Sequence, residues 1–136
     1  MIERVAFLSM HTSPLMQPGV GNAGGMNVYI DELARTMVGR GVAVDVFTRR
    51  TSPEQPDLVE VDDIYQVFHV EAGPPAPAPI SDMVDWVQEF ADGVMAVLDV
   101  DPPDVLHSHY WLSGSAGLIV KRKLGVPLAN SFHTLG

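Results

Sequence analysis

The stretch HTSPLMQPGVGNAGGMNVYIDELARTM, residues 11–37, decides the fold. It follows the apolar run VAFL, residues 5–8, and its glycine-rich first half leads into a second half with apolar residues at helical spacing. A buried strand that passes through glycines into a helix N-terminus forms an anion site. The glycines let the backbone approach a ligand, and the first helical turn has free N–H groups. The stretch therefore predicts a strand–loop–helix unit and a ligand that carries phosphate.

The composition narrows the class of protein. The chain has 136 residues, 46% of them hydrophobic and 18% charged, which is typical of one globular domain with a real core. It has no cysteine, so disulfides and thiolate chemistry are excluded. A net charge of −9 disfavours nucleic acid and anionic membranes as partners. Since no apolar run is long enough for a signal peptide or a membrane span, we expect a cytoplasmic protein.

The charges are unevenly distributed along the chain. Residues 51–120 contain no lysine or arginine but carry thirteen of the seventeen acidic residues. A solvated acidic surface is the simplest interpretation of this segment. The segment cannot supply a cation to a bound phosphate, so we expect such a phosphate to depend mainly on backbone N–H groups of the glycine loop.

Predicted strands and helices alternate along the chain. The predicted strands are Val5–Ser9, Val42–Thr48, Tyr65–Val70, Val105–His107 and Pro127–Ser131. The predicted helices are Gly25–Val38, one that begins near Ser81 as its cap, and Leu112–Leu124, while Thr51–Asp63 is predicted to be a loop. This alternation predicts an α/β fold: a Rossmann-like parallel sheet with helices on both faces, formed by residues 1–136 as a single domain.

Histidines follow several of the predicted strands. His11 follows the first strand, His107 and His109 lie at the fourth, and His133 follows the fifth. Ligands of such sheets bind beyond the carboxyl ends of the strands, so we expect these four residues beside the glycine loop. His69 lies inside the third strand, where a structural role is expected.

Three other kinds of site match the pattern less well. Residues 19–24, GVGNAG, have the letters of a dinucleotide fingerprint, but about nine residues separate them from the strand, and Asp45 lies in mid-strand. A P-loop would need Gly-Lys-Ser/Thr after the glycines, which is absent. A histidine metal site would lack a nearby carboxylate. A site that binds phosphate through backbone N–H groups and hydroxyls through neutral polar side chains uses more of the residues present.

Three motifs resemble those of a known family. HTSPLMQPGVGNAGGMNVYIDELAR, DVLHSHYWLSG and NSFHTLG occur in the same order in family 4 retaining glycosyltransferases of GT-B architecture. The chain resembles the N-terminal half of these enzymes over essentially its whole length. Within the family, the motifs are most similar to the inositol-phosphate glycosyltransferases of mycothiol biosynthesis.

The resemblance implies a role for individual residues. It implies transfer of N-acetylglucosamine or glucose from a nucleotide sugar, a UDP-sugar, to a polyol or sugar-phosphate acceptor, with no metal or other cofactor. His133 is implied as the catalytic residue. The implied donor-binding residues are Gln17, Pro18, Gly24 and Gly25. The implied acceptor-binding residues are His11, Asn22, Asn27, Tyr110 and Thr134.

Two differences from the family affect these expectations. The subgroup has a lysine for the acceptor phosphate after the third strand, where this chain reads AGPPAPAPISD, residues 72–82, so another sugar phosphate or a neutral acceptor stays open. The family's C-terminal donor-binding domain has no counterpart in these 136 residues, and we expect the chain alone to be inactive. The alternative is a non-catalytic Rossmann-like domain that binds a nucleotide or phosphate ligand.

Overall fold

The computed structural model describes residues 2–16 and 25–131. The strands are β1 (Arg4–Leu8), β2 (Ala43–Arg49), β3 (Leu58–Asp62), β4 (Tyr65–Val70), β5 (Val105–His109) and β6 (Leu128–Ser131). The helices are α1 (Met26–Gly39), α2 (Ile80–Met83), a 3-10 turn (Val84–Trp86), α3 (Val87–Leu98) and α4 (Tyr110–Leu124). Within these ranges, no helix has both the length and the apolarity needed to cross a bilayer.

The six strands form one sheet in the order β3-β4-β2-β1-β5-β6. Every neighbouring pair is parallel except β3 and β4. The chain leaves β1 toward β2 on one side and later returns to place β5 on the other side of β1. The α/β fold with a largely parallel sheet is therefore as predicted, and its topological switch point lies between β1 and β5.

Helices cover both faces of the sheet, because successive strand residues point to opposite faces. On one face, Ile30 and Ala34 of α1 pack on Phe7 and Val46. The other face is covered by α3 and α4, whose buried residues pack on the remaining strand positions; among this second set are Leu8, Phe47, Phe90, Leu106 and Ala116. The two cores hold the strands in place and leave the strand ends to form the site.

The prediction of a loop over Thr51–Asp63 is wrong in its second half, where β3 lies. Val59 and Val61 are half-buried against the core, whereas Leu58, Glu60 and Asp62 are exposed. β3 pairs antiparallel with β4 across a tight turn at residues 63–64. The acids and prolines of this segment suggested a loop, but its alternating pattern is that of an edge strand with one solvated face.

Two other predicted boundaries are also wrong. Ser81 does not cap a helix: α2 begins at Ile80, directly after Pro79, and no side chain caps its first turn. β5 extends to His109 and α4 begins at Tyr110, so no loop separates the strand from the helix. The acute turn between them depends on the backbone of Tyr110, which no sequence pattern indicated.

Candidate functional site

Two side chains meet at the switch point of the sheet. His11 lies shortly after β1 and Tyr110 follows β5 directly; their ring centroids are 4.5 Å apart and their ring planes are inclined by 36°. Connections that leave neighbouring parallel strands in opposite directions open a crevice beyond the carboxyl ends of those strands. The fold thus brings two of the predicted acceptor-binding residues together where such sheets bind their ligands.

Backbone strain is concentrated at one of these two residues. Tyr110 has φ 77°, and within the described ranges it is the only non-glycine residue with positive φ. A bulky side chain in this left-handed conformation costs on the order of 1–3 kcal/mol. The packing of the following helix, where Leu112 and Ala116 are fully buried, holds the turn in place. The strain lets α4 start at the sheet edge and sets the Tyr110 ring against His11.

The start of α1 has an exposed glycine. Gly25 is the N-cap residue, with φ −86° and no side-chain cap bond. Among the described residues, no atom would lie within 4 Å of a Cβ added there. Neither φ nor helix–strand packing therefore requires glycine at this position. Its predicted role in ligand binding, next to the free N–H groups of the first turn, stays a prediction.

Asn27 fixes the loop that precedes the crevice. Its side chain is 1% exposed, and Nδ2 donates a 2.6 Å hydrogen bond to the Met16 carbonyl. This bond ties the segment after β1 to the first turn of α1. The buried Asn27 Oδ1 has no hydrogen-bond partner in the part of the chain that the structure describes. Asn27 thus has a positioning contact, and its predicted contact with an acceptor is untested.

The histidines do not all lie at the sheet edge. His107 is inside β5 rather than beyond it, and its Nε2 lies 2.8 Å from Ser131 Oγ. His109 is the fully buried last residue of the strand, and its ring lies 4.2 Å from that of His107. Both rings pack on Phe7 on the α1 face of the sheet, and neither histidine lies beyond the end of β5, where the site was expected.

His69 has the structural contact expected for it. Its Nδ1 lies 2.7 Å from the Pro56 carbonyl, and a carbonyl only accepts, so this nitrogen donates the hydrogen bond. The bond joins β4 to the segment before β3. Over residues 2–16 and 25–131, no three histidine or carboxylate side chains are grouped as a metal site would need. Six predicted site residues lie outside the described residues: Gln17, Pro18, Asn22, Gly24, His133 and Thr134.

A cleft of 360 Å³ lies beside the crevice, beyond the carboxyl ends of β1, β2 and β4. Its lining includes His11, Thr12, Thr48, Arg49, Thr51 and His69. Of this group, only His11 and His69 were assigned a role from the sequence. Arg49 was missed, although an apolar strand that ends in two arginines, TRRT, indicates cations at the functional edge.

Arg49 is a buried cation held by neutral groups. It is 1% exposed, and its Nε donates to the Ala72 carbonyl at 2.7 Å. Its Nη2 donates to the carbonyls of Pro74 and Ala76, at 2.6 and 2.9 Å. The guanidinium carbon lies 4.7 Å from the ring centroid of Trp86. These contacts fix the turn that follows β4, in the region where the family resemblance implies acceptor binding.

The neighbouring Arg50 has a different environment. Its Nη2 forms an ion pair with Asp57, and its Nη1 donates to the Gln55 carbonyl. Within the described ranges, no carboxylate lies within 4.0 Å of Arg49. Burial lowers the pKa of the Arg49 guanidinium, and the more distant Glu89 acts in the opposite sense. Among the described residues, Arg50 therefore has a carboxylate as ion-pair partner and Arg49 has none within 4.0 Å.

Known proteins are similar to this chain in both sequence and fold. Proteins named D-inositol 3-phosphate glycosyltransferase are similar to this chain: that of Jonesia denitrificans is 50% identical over 97% of the chain, and that of Nocardiopsis dassonvillei is 49% identical over 97%. The chain spans 32% of the length of each.

Among solved structures, sucrose-phosphate synthase from Thermosynechococcus elongatus superposes with a TM-score of 0.93 and 28% identity, over 98% of this chain and 34% of that one. The model of the glycosyl transferase 4-like domain matches residues 24–136, which include the second and third motifs and the end of the glycine-rich stretch. The chain belongs to the glycosyl transferase 4-like domain family.

Proposed function

We propose that this chain is the acceptor-side domain of a retaining glycosyltransferase. The reaction is transfer of N-acetylglucosamine or glucose from a UDP-sugar to a polyol or sugar phosphate. The observation that carries the proposal is the His11–Tyr110 pair at the switch point, in a chain of this family. The relatives are named D-inositol 3-phosphate glycosyltransferase, which supports a phosphorylated polyol as the acceptor.

The proposed work of this domain is orientation. His11 and Tyr110 offer neutral hydrogen-bonding groups to acceptor hydroxyls, and the N-terminus of α1 offers N–H groups to phosphate. An acceptor held in one orientation presents a single hydroxyl to the sugar that is transferred. Because negative charge develops on the leaving phosphate, donors fixed around it lower the barrier. In this proposal His133 faces the transferred sugar, and Gln17, Pro18 and Gly24 border the donor.

A chimera tests the proposal. Residues 1–136 replace the aligned segment of the Jonesia denitrificans relative, to which they are 50% identical over 135 residues. We expect the chimera to release UDP from UDP-N-acetylglucosamine or UDP-glucose when inositol 3-phosphate or a hexose phosphate is present. A folded chimera that shows no acceptor-dependent release with any of these pairs, or with free inositol, would leave a non-catalytic binding domain as the better description.

The glycine at the start of α1 allows a matched test in the same chimera. Gly25→Val places a branched side chain among the first-turn N–H groups, where the described residues leave open space and φ is compatible with valine. Gly39→Val makes the same change at the other end of α1, where a Cβ also meets no described atom within 4 Å. We expect Gly25→Val to abolish turnover and Gly39→Val to keep most of it. Equal turnover in the two variants would contradict the assignment of Gly25 to the ligand.

A further inference from the structure

A buried hydroxyl joins the two sides of the crevice. The backbone N–H of Met10 donates a 2.8 Å hydrogen bond to Ser113 Oγ, across 103 positions of the chain. Met10 is 1% exposed and Ser113 is 0% exposed. Ser113 belongs to the second family motif, DVLHSHYWLSG. A side chain this deeply buried does not touch a ligand, so its hydroxyl acts only through the groups that it holds in place.

This hydrogen bond lies next to both residues of the His11–Tyr110 pair. Met10 directly precedes His11, and Ser113 lies three residues after Tyr110, in the first turn of α4. The pairing of β1 with β5 ends at Leu8. Beyond that point, the Ser113 hydroxyl takes the place of a strand partner for the chain that leaves β1. The bond therefore links the exits of the two strands that form the switch point.

The segment that carries His11 is also held from its other side. Ser9 Oγ and Thr48 Oγ1 donate to the Thr12 carbonyl, at 2.6 and 3.3 Å. These two bonds run within the segment and to β2. The Ser113 hydroxyl approaches from the β5 side, where Tyr110 lies. Of these three hydroxyls, that of Ser113 is the one placed to set the distance between the two rings.

The strained backbone of Tyr110 makes this bond important. A φ of 77° persists only where the surrounding structure fixes it. The Met10 N–H is a buried donor that needs an acceptor, so its bond to Ser113 fixes the first turn of α4 relative to β1. The same bond thereby holds the Tyr110 ring 4.5 Å from the His11 ring.

We propose that Ser113 is a positioning residue of the transfer reaction. Its hydroxyl sets the separation and tilt of His11 and Tyr110, and with them the orientation in which the acceptor is held. This role rests on the proposed function and extends it to a residue with no accessible surface. A displacement of about 1 Å far from the reacting atoms costs up to about a hundredfold in rate, so a hydroxyl that touches no ligand can still control turnover.

The distance between the two rings is measured first, in the whole 136-residue chain. Ser113→Ala removes the hydroxyl and leaves the Met10 N–H without this acceptor. NMR of 13C-labelled protein reports the nuclear Overhauser effect between ring protons of His11 and Tyr110, whose centroids are 4.5 Å apart. We expect this signal to weaken in Ser113→Ala and the ring resonances of His11 to shift.

Ser108→Ala is the matched control for this measurement. Ser108 is also a serine with 0% exposure, and its Oγ donates to Asn130 Oδ1 at 2.5 Å. This bond joins β5 to β6, on the side away from His11. Both variants lose one buried hydroxyl, but we expect Ser108→Ala to keep the signal between the two rings.

Kinetics of the chimera test whether the ring positions matter for the reaction. We expect Ser113→Ala to raise KM for the acceptor by about tenfold and to change KM for the UDP-sugar by less than about twofold. Partial unfolding would instead lower kcat and leave both KM values unchanged. The difference between the two substrates therefore separates positioning of the acceptor from a loss of folded protein.

Ser113→Thr separates the hydroxyl from the stability of the fold. It keeps the acceptor for Met10 but adds a methyl group where no surface is exposed, so it should be less stable than the unchanged chain. We expect its KM for the acceptor to stay within about threefold of the unchanged value, well below that of Ser113→Ala. A purely structural residue would give KM values that follow stability.

This inference and the proposed function can fail separately. An active chimera whose folded Ser113→Ala variant keeps both the ring contact and the acceptor KM would overturn this inference alone. Equal effects of Ser113→Ala and Ser108→Ala on the ring contact would overturn it too, as would equal acceptor KM values for Ser113→Ala and Ser113→Thr. An unchanged chimera without turnover would overturn the proposed function, and with it the role of Ser113 in the reaction.

Discussion

Polar side chains at the two ends of the sheet differ in how completely they are paired. At the amino end, Asp104 accepts the backbone N–H groups of Glu3 and Arg4, at 2.8 and 3.0 Å. The Arg4 guanidinium lies 2.8 Å from Asp101 and 3.4 Å from Asp45. Each of these charged side chains at the amino end thus has a partner.

At the carboxyl end, polar side chains are held in place, but some of their atoms are unpaired among the described residues. Among the described residues, Arg49 has no carboxylate within 4.0 Å, the Thr12 hydroxyl is unpaired, and Tyr110 carries backbone strain. Strain and unsatisfied donors lower stability, so they persist only where the surrounding packing holds them. The comparison indicates that polar side chains are fully paired at the amino end, whereas at the carboxyl end they are held in place with part of their hydrogen-bonding capacity unpaired among the described residues.

The largest expected effect comes from crowding the turn at the carboxyl end. Gly73 has φ 69°, and a Cβ there would lie 2.3 Å from the Trp86 ring. We expect Gly73→Ala to lower the free energy of unfolding by about 3 kcal/mol, because Trp86 must move away from Arg49. Gly125→Ala is the control, with φ 70° and no described atom within 4 Å of the added Cβ, and should cost about 1 kcal/mol. Equal losses in urea unfolding would show that Trp86 does not hold the turn.

The second prediction concerns strain at the switch point. We expect the Tyr110→Gly variant to be more stable than the Tyr110→Ala variant by about 1 kcal/mol, because φ 77° is a conformation that glycine adopts without strain. The control is the exposed helix position Ser115, where we expect Ser115→Ala to be more stable than Ser115→Gly by a similar amount. Thermal unfolding of the four variants measures both differences. If the alanine variant is the more stable one at both positions, the backbone at Tyr110 is not strained.

The smallest expected effect is at the amino end and depends on pH. Burial raises the pKa of Asp45, and Arg4 opposes this shift only in part. The carboxyl group thus favours the folded state when protonated, and this stability is lost as the pH rises through the raised value. Asp45→Asn, which stays neutral and can still accept from Arg4, should therefore be more stable than the unchanged chain at pH 7, by less than about 1 kcal/mol.

The same variant should show no such advantage at pH 3, where Asp45 is protonated in the folded chain. Unfolding of both proteins by urea at the two pH values gives the comparison. A loss of stability at pH 7 would mean that the Arg4 ion pair outweighs burial, and the amino end would then be held by charge more strongly than we infer.

Sequence patterns were sufficient to predict the α/β architecture and the position of part of the candidate site. Apolar runs, glycine stops and the alternation of elements predicted five of the six strands, because these signals are local. The rule that ligands bind beyond the carboxyl ends of parallel strands then predicted the position of His11, and the family resemblance added Tyr110. β3 was missed because the acids and prolines of residues 51–63 outweighed a short alternating pattern.

The features that sequence reasoning missed depend on tertiary contacts. The sequence does not show whether a charged residue at the end of a strand will be buried. The carbonyls that bind the Arg49 guanidinium belong to a turn more than twenty residues later in the chain. The left-handed backbone of Tyr110 is likewise imposed by where α4 must pack. His109 was expected beyond its strand because β5 was predicted two residues too short.

The short antiparallel strand β3 also affects how copies of this protein meet. It lies at the edge of the sheet, where unpaired backbone groups could template a strand from another chain. Its five residues are interrupted by a bulge between Glu60 and Asp62, and both carboxylates are exposed. A second copy approaching this edge would meet like charge and an irregular ladder. The segment mistaken for a loop thus protects this edge of the sheet against aggregation.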